Sequence, residues 1–143
     1  SAQIGLENVA LGKPTDQSSI SSDGLAQRAV DGFTNATYSA GSISHTTRES
    51  NPWWEVDLRT SFSIKEVVLY NRMDCCSDRL SGAVITLLAA NGDEVASQVL
   101  GSMYNVSSET ISFAGSGIAA EKIRVDIPGK SKILSLAEVQ VFI

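Results

Sequence analysis

The sequence predicts an all-β domain, an antiparallel sandwich or barrel, and three observations carry that expectation. Ile123, Val125 and Ile127 alternate with Lys122, Arg124 and Asp126, which gives one apolar and one polar face at the two-residue period of a strand. Asn91-Gly92, a dipeptide suited to positive φ, follows an apolar run and marks a hairpin turn. Apolar residues at helical spacing are nearly absent, so the chain does not alternate strands with helices as a parallel sheet requires.

Taken in order, residues 53–58 alternate loosely and residues 64–70 form a run rich in Val, Leu and Tyr. Residues 83–90 are a second apolar run, which turns at Asn91-Gly92 and returns through residues 94–100. Residues 109–113 supply a short strand bounded by Gly and Ser clusters, and residues 138–143 alternate again except at Phe142. Residues 13–51 are dominated by Ser, Thr, Asp, Asn and Gly. So long an irregular stretch in a compact domain usually carries function.

The length of 143 residues fits a single domain, residues 1–143, able to bury roughly two-thirds of its unfolded surface. A content of 43% hydrophobic and 19% charged residues is that of a folded protein rather than a disordered one. No run approaches the ~20 apolar residues of a membrane-spanning helix, so the chain reads as soluble. A net charge of -5 disfavours nucleic acid and anionic membranes as partners, because both need a surplus of Lys and Arg. The two cysteines, Cys75 and Cys76, are neighbours and cannot close a long loop. From the residues alone they read as buried thiols, metal ligands, a redox pair or a disulfide. Zinc needs more ligands than His45 and these two provide, and both zinc and redox centres usually have a spacer between the cysteines.

The only histidine, His45, stands 26 residues before Arg72-Met73-Asp74, and four residues then lead to Arg79. This spacing, a His, an Arg-x-Asp and a basic residue, resembles the signature of the F-type lectin (fucolectin) family. The resemblance extends along the chain through Glu7-Asn8-Val9-Ala10-Leu11-Gly12-Lys13-Pro14, Ala29-Val30-Asp31-Gly32, Asn51-Pro52-Trp53-Trp54-Glu55-Val56-Asp57-Leu58 and Glu138-Val139-Gln140-Val141. It implies an eight-stranded antiparallel jelly-roll β-sandwich of discoidin-like architecture, with a sugar site in the loops at one end. It also implies a non-catalytic, calcium-dependent lectin for terminal α-L-fucose on blood-group or Lewis-type glycans.

The chemistry suits that role. Two guanidinium groups present planar forks of donors to adjacent sugar oxygens, Asp74 holds one fork in place, and His45 adds a ring nitrogen. Arg72 and Arg79 cannot both project from one regular strand end, so a turn through Cys75–Asp78 has to bring them together. The competing reading is a solvated charge cluster worth ~0–1 kcal/mol per exposed pair.

Further expectations come from the resemblance. Cys75 and Cys76 form a vicinal disulfide that offers an apolar platform to the sugar, which requires an oxidising compartment and hence secretion. Calcium is held by the side chains of Asp31, Ser42 and Glu138 and by carbonyls of Arg28, Phe33, Ser42 and Ala137; calcium suits such a mixed oxygen set. Ile20 and Tyr38 enclose the fucose methyl, and Met103-Tyr104-Asn105 adjoins neighbouring sugars. Ile43 and Ala137 stand where several members have a cysteine pair, so an apolar contact is expected there. Asn35-Ala36-Thr37 and Asn105-Val106-Ser107 match the glycosylation sequon, a triplet common by chance.

Weak single-site affinity makes a homo-oligomer or tandem modules plausible. The alternatives are a discoidin-like adhesion or lipid-binding module, a carbohydrate-binding module attached to a larger enzyme or toxin, and an enzyme using Asp74 with Asp78 or His45 with a serine. The loops lack apolar tips with basic neighbours, and no Gly-x-Ser-x-Gly elbow is present.

Overall fold

The computed structural model describes residues 8–21, 24–32, 34, 41, 43–113 and 118–143. Among the described residues ten strands are formed: β1 Thr15–Gln17, β2 Ser44–His45, β3 Trp53–Ile64, β4 Glu66–Tyr70, β5 Val84–Leu88, β6 Glu94–Val99, β7 Ser108–Ser112, β8 Ile118–Asp126, β9 Ser135–Leu136 and β10 Glu138–Phe142. A five-stranded sheet in the order β1-β3-β8-β5-β6 faces a three-stranded sheet in the order β10-β4-β7, and β2 pairs with β9 at one end. Every pairing is antiparallel. The two larger sheets together make the eight-stranded sandwich that the resemblance implies.

The period-two pattern explains the packing. Trp54, Val56 and Leu58 of β3, Ile123 and Val125 of β8, and Ile85 and Leu87 of β5 turn inward. Val67 and Leu69 of β4, Ile111 of β7, and Val139 and Val141 of β10 meet them in one core. The Asn91-Gly92 hairpin forms as expected: Gly92 has φ 91°, and the Ala89 N–H donates to the Asp93 carbonyl at 2.8 Å. Among the described residues no helix is long and apolar enough to cross a membrane.

Two elements differ from the pattern. β3 does not end near residue 58 but continues to Ile64, through a register shift against β8 between Asp57 and Phe62. There Arg59 takes a positive φ of 70° and its N–H donates to Asp57 Oδ1 at 2.8 Å, so a bulge carries the strand on past its break in alternation. β1 is too short and too polar to be read from sequence, yet it adds to the edge of β3 with Asp16 opposite Glu55.

Trp54 ties the core to the loops. Its ring is fully buried and its indole N–H donates to the Ala26 carbonyl at 2.9 Å, fixing a short 3-10 turn, Ala26–Val30. Trp54→Phe keeps an aromatic ring but strands that buried carbonyl, at an expected cost of about 1–3 kcal/mol. Urea unfolding should show a lower midpoint at unchanged slope. An unshifted midpoint would mean that this hydrogen bond carries no stability.

Candidate functional site

The site begins where β4 ends. Asn71 is 1% exposed, its N–H donates to the Ser107 carbonyl, and its side-chain amide donates to three carbonyls: Ser77 at 2.8 Å, Val106 at 3.1 Å and Met103 at 3.3 Å. One buried amide thus holds the loop after β4 against the loop before β7. Two hydroxyls complete the seam: Ser77 Oγ accepts from the Asn105 N–H at 2.9 Å, and Ser81 Oγ from the Met103 N–H at 2.8 Å. Buried backbone groups of both loops are satisfied in this way.

Within that frame the chain reverses. Cys75 and Cys76 are joined by a disulfide, Cys76 is left-handed at φ 62°, and a 3-10 turn over Ser77–Leu80 follows, anchored by buried Leu80. The Arg79 N–H donates to the Cys76 carbonyl at 3.0 Å. Arg72 and Arg79 therefore approach one another, as the sequence requires of any shared ligand. Arg79 is drawn below its ordinary value first by burial and then by the charges of Arg72 and Arg48, with Asp78 partly offsetting them. The Arg72 Nε–H donates to Asp74 Oδ1 at 2.7 Å and Nη2 to Oδ2 at 3.4 Å. At this exposure the pair contributes only ~0–1 kcal/mol of stability, so its effect is to orient the guanidinium.

His45 comes from the other side of the site. β2 sets His45 opposite Ser135, and the His45 N–H donates to the Gly24 carbonyl at 2.9 Å. The Gln17 amide gathers this segment, donating to the carbonyls of Ser19, Gly24 and His45 at 2.7, 2.8 and 3.1 Å. Gly24 lies so close that a Cβ there would sit 2.5 Å from the His45 Cβ, so only glycine fits. His45 Nδ1 lies 2.7 Å from the Thr46 carbonyl, and a carbonyl only accepts, so Nδ1 carries the proton. Burial, and then the charges of Arg72 and Arg79, hold the ring below its ordinary value of 6.5 against the opposing pull of the Thr46 carbonyl. The ring is neutral at pH 7, which leaves Nε2 as an acceptor among donors.

The disulfide lies between the two arginines in sequence, with Cys75 exposed and Cys76 half-buried. Ile20 is exposed and precedes Ser21, whose N–H donates to the His45 carbonyl. Tyr38, Phe33, Ser42 and the Asn35 sequon lie outside the described residues. Asn105 of the second sequon is exposed, with φ 58°. Ile43 and Ala137 are both fully buried, and continuing the β2–β9 register sets them opposite each other, in keeping with an apolar contact at the missing crosslink.

A second centre lies beside the first. Glu138 opens β10, is fully buried, and accepts the Gly32 N–H on Oε2 at 2.9 Å. Its Oε1 has no hydrogen-bond partner among the described residues. Burial first, and then the charge and side-chain hydrogen bond of Asp31, push the Glu138 carboxyl up to about 8. Two neighbouring carboxyl groups, one of them buried with an oxygen that has no hydrogen-bond partner among the described residues, are chemistry that a hard cation such as calcium would fit. Arg28 lies in the 3-10 turn that Trp54 fixes, and Ala137 directly precedes Glu138, so these expected carbonyl ligands adjoin the pair. Among the described residues no three His, Cys, Asp or Glu side chains converge, so an ion here would need backbone oxygens as well.

A family model described as the NedA-like, galactose-binding domain of the F5/F8 type C group matches residues 28–125. Fucolectin-1 of Anguilla japonica is 39% identical over 94% of this chain and 80% of its own. This chain belongs to the F-type lectin family. Two solved structures give the same fold. A Streptococcus pneumoniae fucose binding module is 38% identical, covers 96% of each chain and has a TM-score of 0.92. The lectin domain of lectinolysin, complexed with Lewis b antigen, is 39% identical, covers 95% of this chain and 96% of its own, and has a TM-score of 0.91.

Within this F-type lectin domain the structure brings together His45, Arg72, Asp74, Cys75, Cys76 and Arg79. It adds Asn71, Gln17 and Gly24, which carry no signal in a single sequence because their roles lie in long-range hydrogen bonds and close packing. The His45 environment is open to direct measurement. NMR titration should give an imidazole pKa below 6.5 with the proton on Nδ1, because burial and two nearby cations oppose a further positive charge. A value above 6.5 would contradict this arrangement.

Proposed function

We propose that this domain is a non-catalytic lectin that binds terminal α-L-fucose on blood-group or Lewis-type glycans, with a calcium ion organising its loops. The observation that carries the reading is the convergence of two guanidinium groups and one neutral imidazole at the rim of the sandwich. Arg72 and Arg79 donate to sugar oxygens, while His45 Nε2 accepts from a sugar hydroxyl, so one sugar is read by both donors and an acceptor. The Asp74 clamp fixes one donor before binding and so lowers the entropy lost in the complex. The Cys75–Cys76 disulfide offers sulfur and methylene surface to the apolar face of the ring. Ile20 and Tyr38 are the side chains assigned to the fucose methyl.

Support also comes from the relatives, which are named as fucolectins and as a fucose binding module, and from the Lewis b complex. An enzymatic reading lacks its chemistry: both Asp74 oxygens face Arg72, so Asp74 is committed to orientation rather than to proton transfer. The disulfide accords with secretion, and display as a homo-oligomer or as tandem modules would raise avidity without new contacts.

Methyl α-L-fucoside and fucose-terminated array glycans should bind the native domain. Arg72→Ala or Arg79→Ala variants that still fold should lose roughly 10- to 100-fold in affinity, the worth of a hydrogen bond to a charged donor. Native affinity retained by both folded variants would refute the site.

For calcium, Asp31, Glu138 and Ser42 supply side chains and Arg28, Phe33, Ser42 and Ala137 carbonyls. When bound, the ion supplies positive charge that compensates the facing carboxylates. Chelation should lower the melting midpoint and added calcium should restore it, because a ligand of the native state alone stabilises that state. A midpoint indifferent to both would sink the calcium assignment.

A further inference from the structure

Arg79 has a second set of neighbours. Besides interacting with His45 and Arg72, it lines a cleft of about 250 Å³ together with Arg48, Asp78, Ser81, Lys132 and Ile133, a lining that includes neither His45 nor Arg72. The walls of this cleft are held by backbone. Glu49 and Lys132 exchange hydrogen bonds, each N–H donating to the other's carbonyl at 2.9 and 2.8 Å, so the segments bearing Arg48 and Lys132 run side by side. Arg48 Nη1 donates to the Ser131 carbonyl at 2.9 Å, which pins that guanidinium at the cleft.

The charges do not balance. Three cations, Arg48, Arg79 and Lys132, line the cleft against one carboxylate, Asp78. The neighbouring acid, Glu49, is engaged elsewhere, its Oε2 accepting from the hydroxyls of Ser18 and Ser19. In a chain of net charge -5, the cations lining this cleft outnumber its carboxylates, and among the described residues no ion pair engages Arg48, Arg79 or Lys132. Arg79, shared with the fucose position, places the cleft next to whatever sugar is joined to that fucose.

We propose that this cleft is a subsite for an anionic substituent, a sulfate ester or a sialic acid carboxylate, on a sugar neighbouring the fucose. The lectin would then prefer charged fucosylated glycans to their neutral counterparts. The inference rests on fucose binding at His45, Arg72 and Arg79, and its test keeps the two apart. The probes are methyl α-L-fucoside, which is too small to fill the cleft, and Lewis a oligosaccharide in neutral, sulfated and sialylated forms, measured by calorimetry on the native domain and on Arg48→Gln and Lys132→Gln variants.

At least one charged form should bind about 3- to 10-fold tighter than the neutral one, a charge-assisted hydrogen bond discounted for solvent exposure. That advantage should shrink with added salt. It should shrink too in both variants while methyl α-L-fucoside affinity stays unchanged. Which charged form gains identifies the source of the anion. No binding of methyl α-L-fucoside would refute the fucose reading itself. Intact fucoside binding with equal affinity for all three oligosaccharides would overturn the subsite alone, as would an advantage that survives both substitutions. A loss shared equally by the methyl fucoside would overturn the assignment of Arg48 and Lys132 to a separate subsite.

Discussion

The side-chain amide of Asn71 serves three backbone carbonyls that belong to two different loops, and the arginine-bearing end of the domain is built on that arrangement. Loops at the end of a sandwich have no ladder to satisfy their polar groups, and an unsatisfied buried carbonyl costs about as much as a lost hydrogen bond. Asn71 meets this requirement at the one point where β4 gives way to the arginine loop. The rest follows from it: the chain is held long enough to reverse at Cys76, and the reversal turns Arg79 back toward Arg72. Gln17 does the same for the histidine, with three carbonyls gathered by one amide. Both residues act by positioning backbone, and neither needs to touch a ligand.

A cluster of guanidinium groups and a pair of carboxyl groups share this end of the molecule. The rung that pairs Glu138 with Tyr70 sets the buried carboxylate one residue away from Asn71 and two from Arg72. Arg72 is therefore positioned by the same strand pair that positions Glu138. His45 stays neutral between the arginines, which keeps the site from becoming three mutually repelling cations. An ion compensating Asp31 and Glu138 would act on the sugar site through shared backbone, not through direct contact with a sugar.

Much of this was legible in the sequence, for reasons that also define what was not. The alternation at Ile123, Val125 and Ile127 and the Asn91-Gly92 turn are local signals, and the structure carries them as β8 and the β5–β6 hairpin. The spacing of His45, Arg72, Asp74 and Arg79 resembles a family signature, and the structure brings those four candidate side chains to one end of the domain. β1 was not legible, because three polar residues become a strand only when β3 offers them an edge. The extension of β3 to Ile64 is held by pairing with Ile118–Ala120 after a register shift, where the Arg59 N–H donates to Asp57, and that shift breaks the alternation. Gly24 looks like any loop glycine until the His45 Cβ is seen filling the space where its own would be.

The strand order has a consequence for how the protein comes to be active. β4 pairs with β10 across some seventy residues of intervening chain, and β3 pairs with β8 at a similar remove. Contacts so distant in sequence form slowly, since loop closure must precede any gain from pairing. Residues 45, 72–79 and 135–138 meet only after those closures are made, so no early fragment or half-formed intermediate can present the whole constellation. Ligand recognition in this domain is thus a late event of folding, and retention on an immobilised ligand selects molecules whose most distant strands have already found one another.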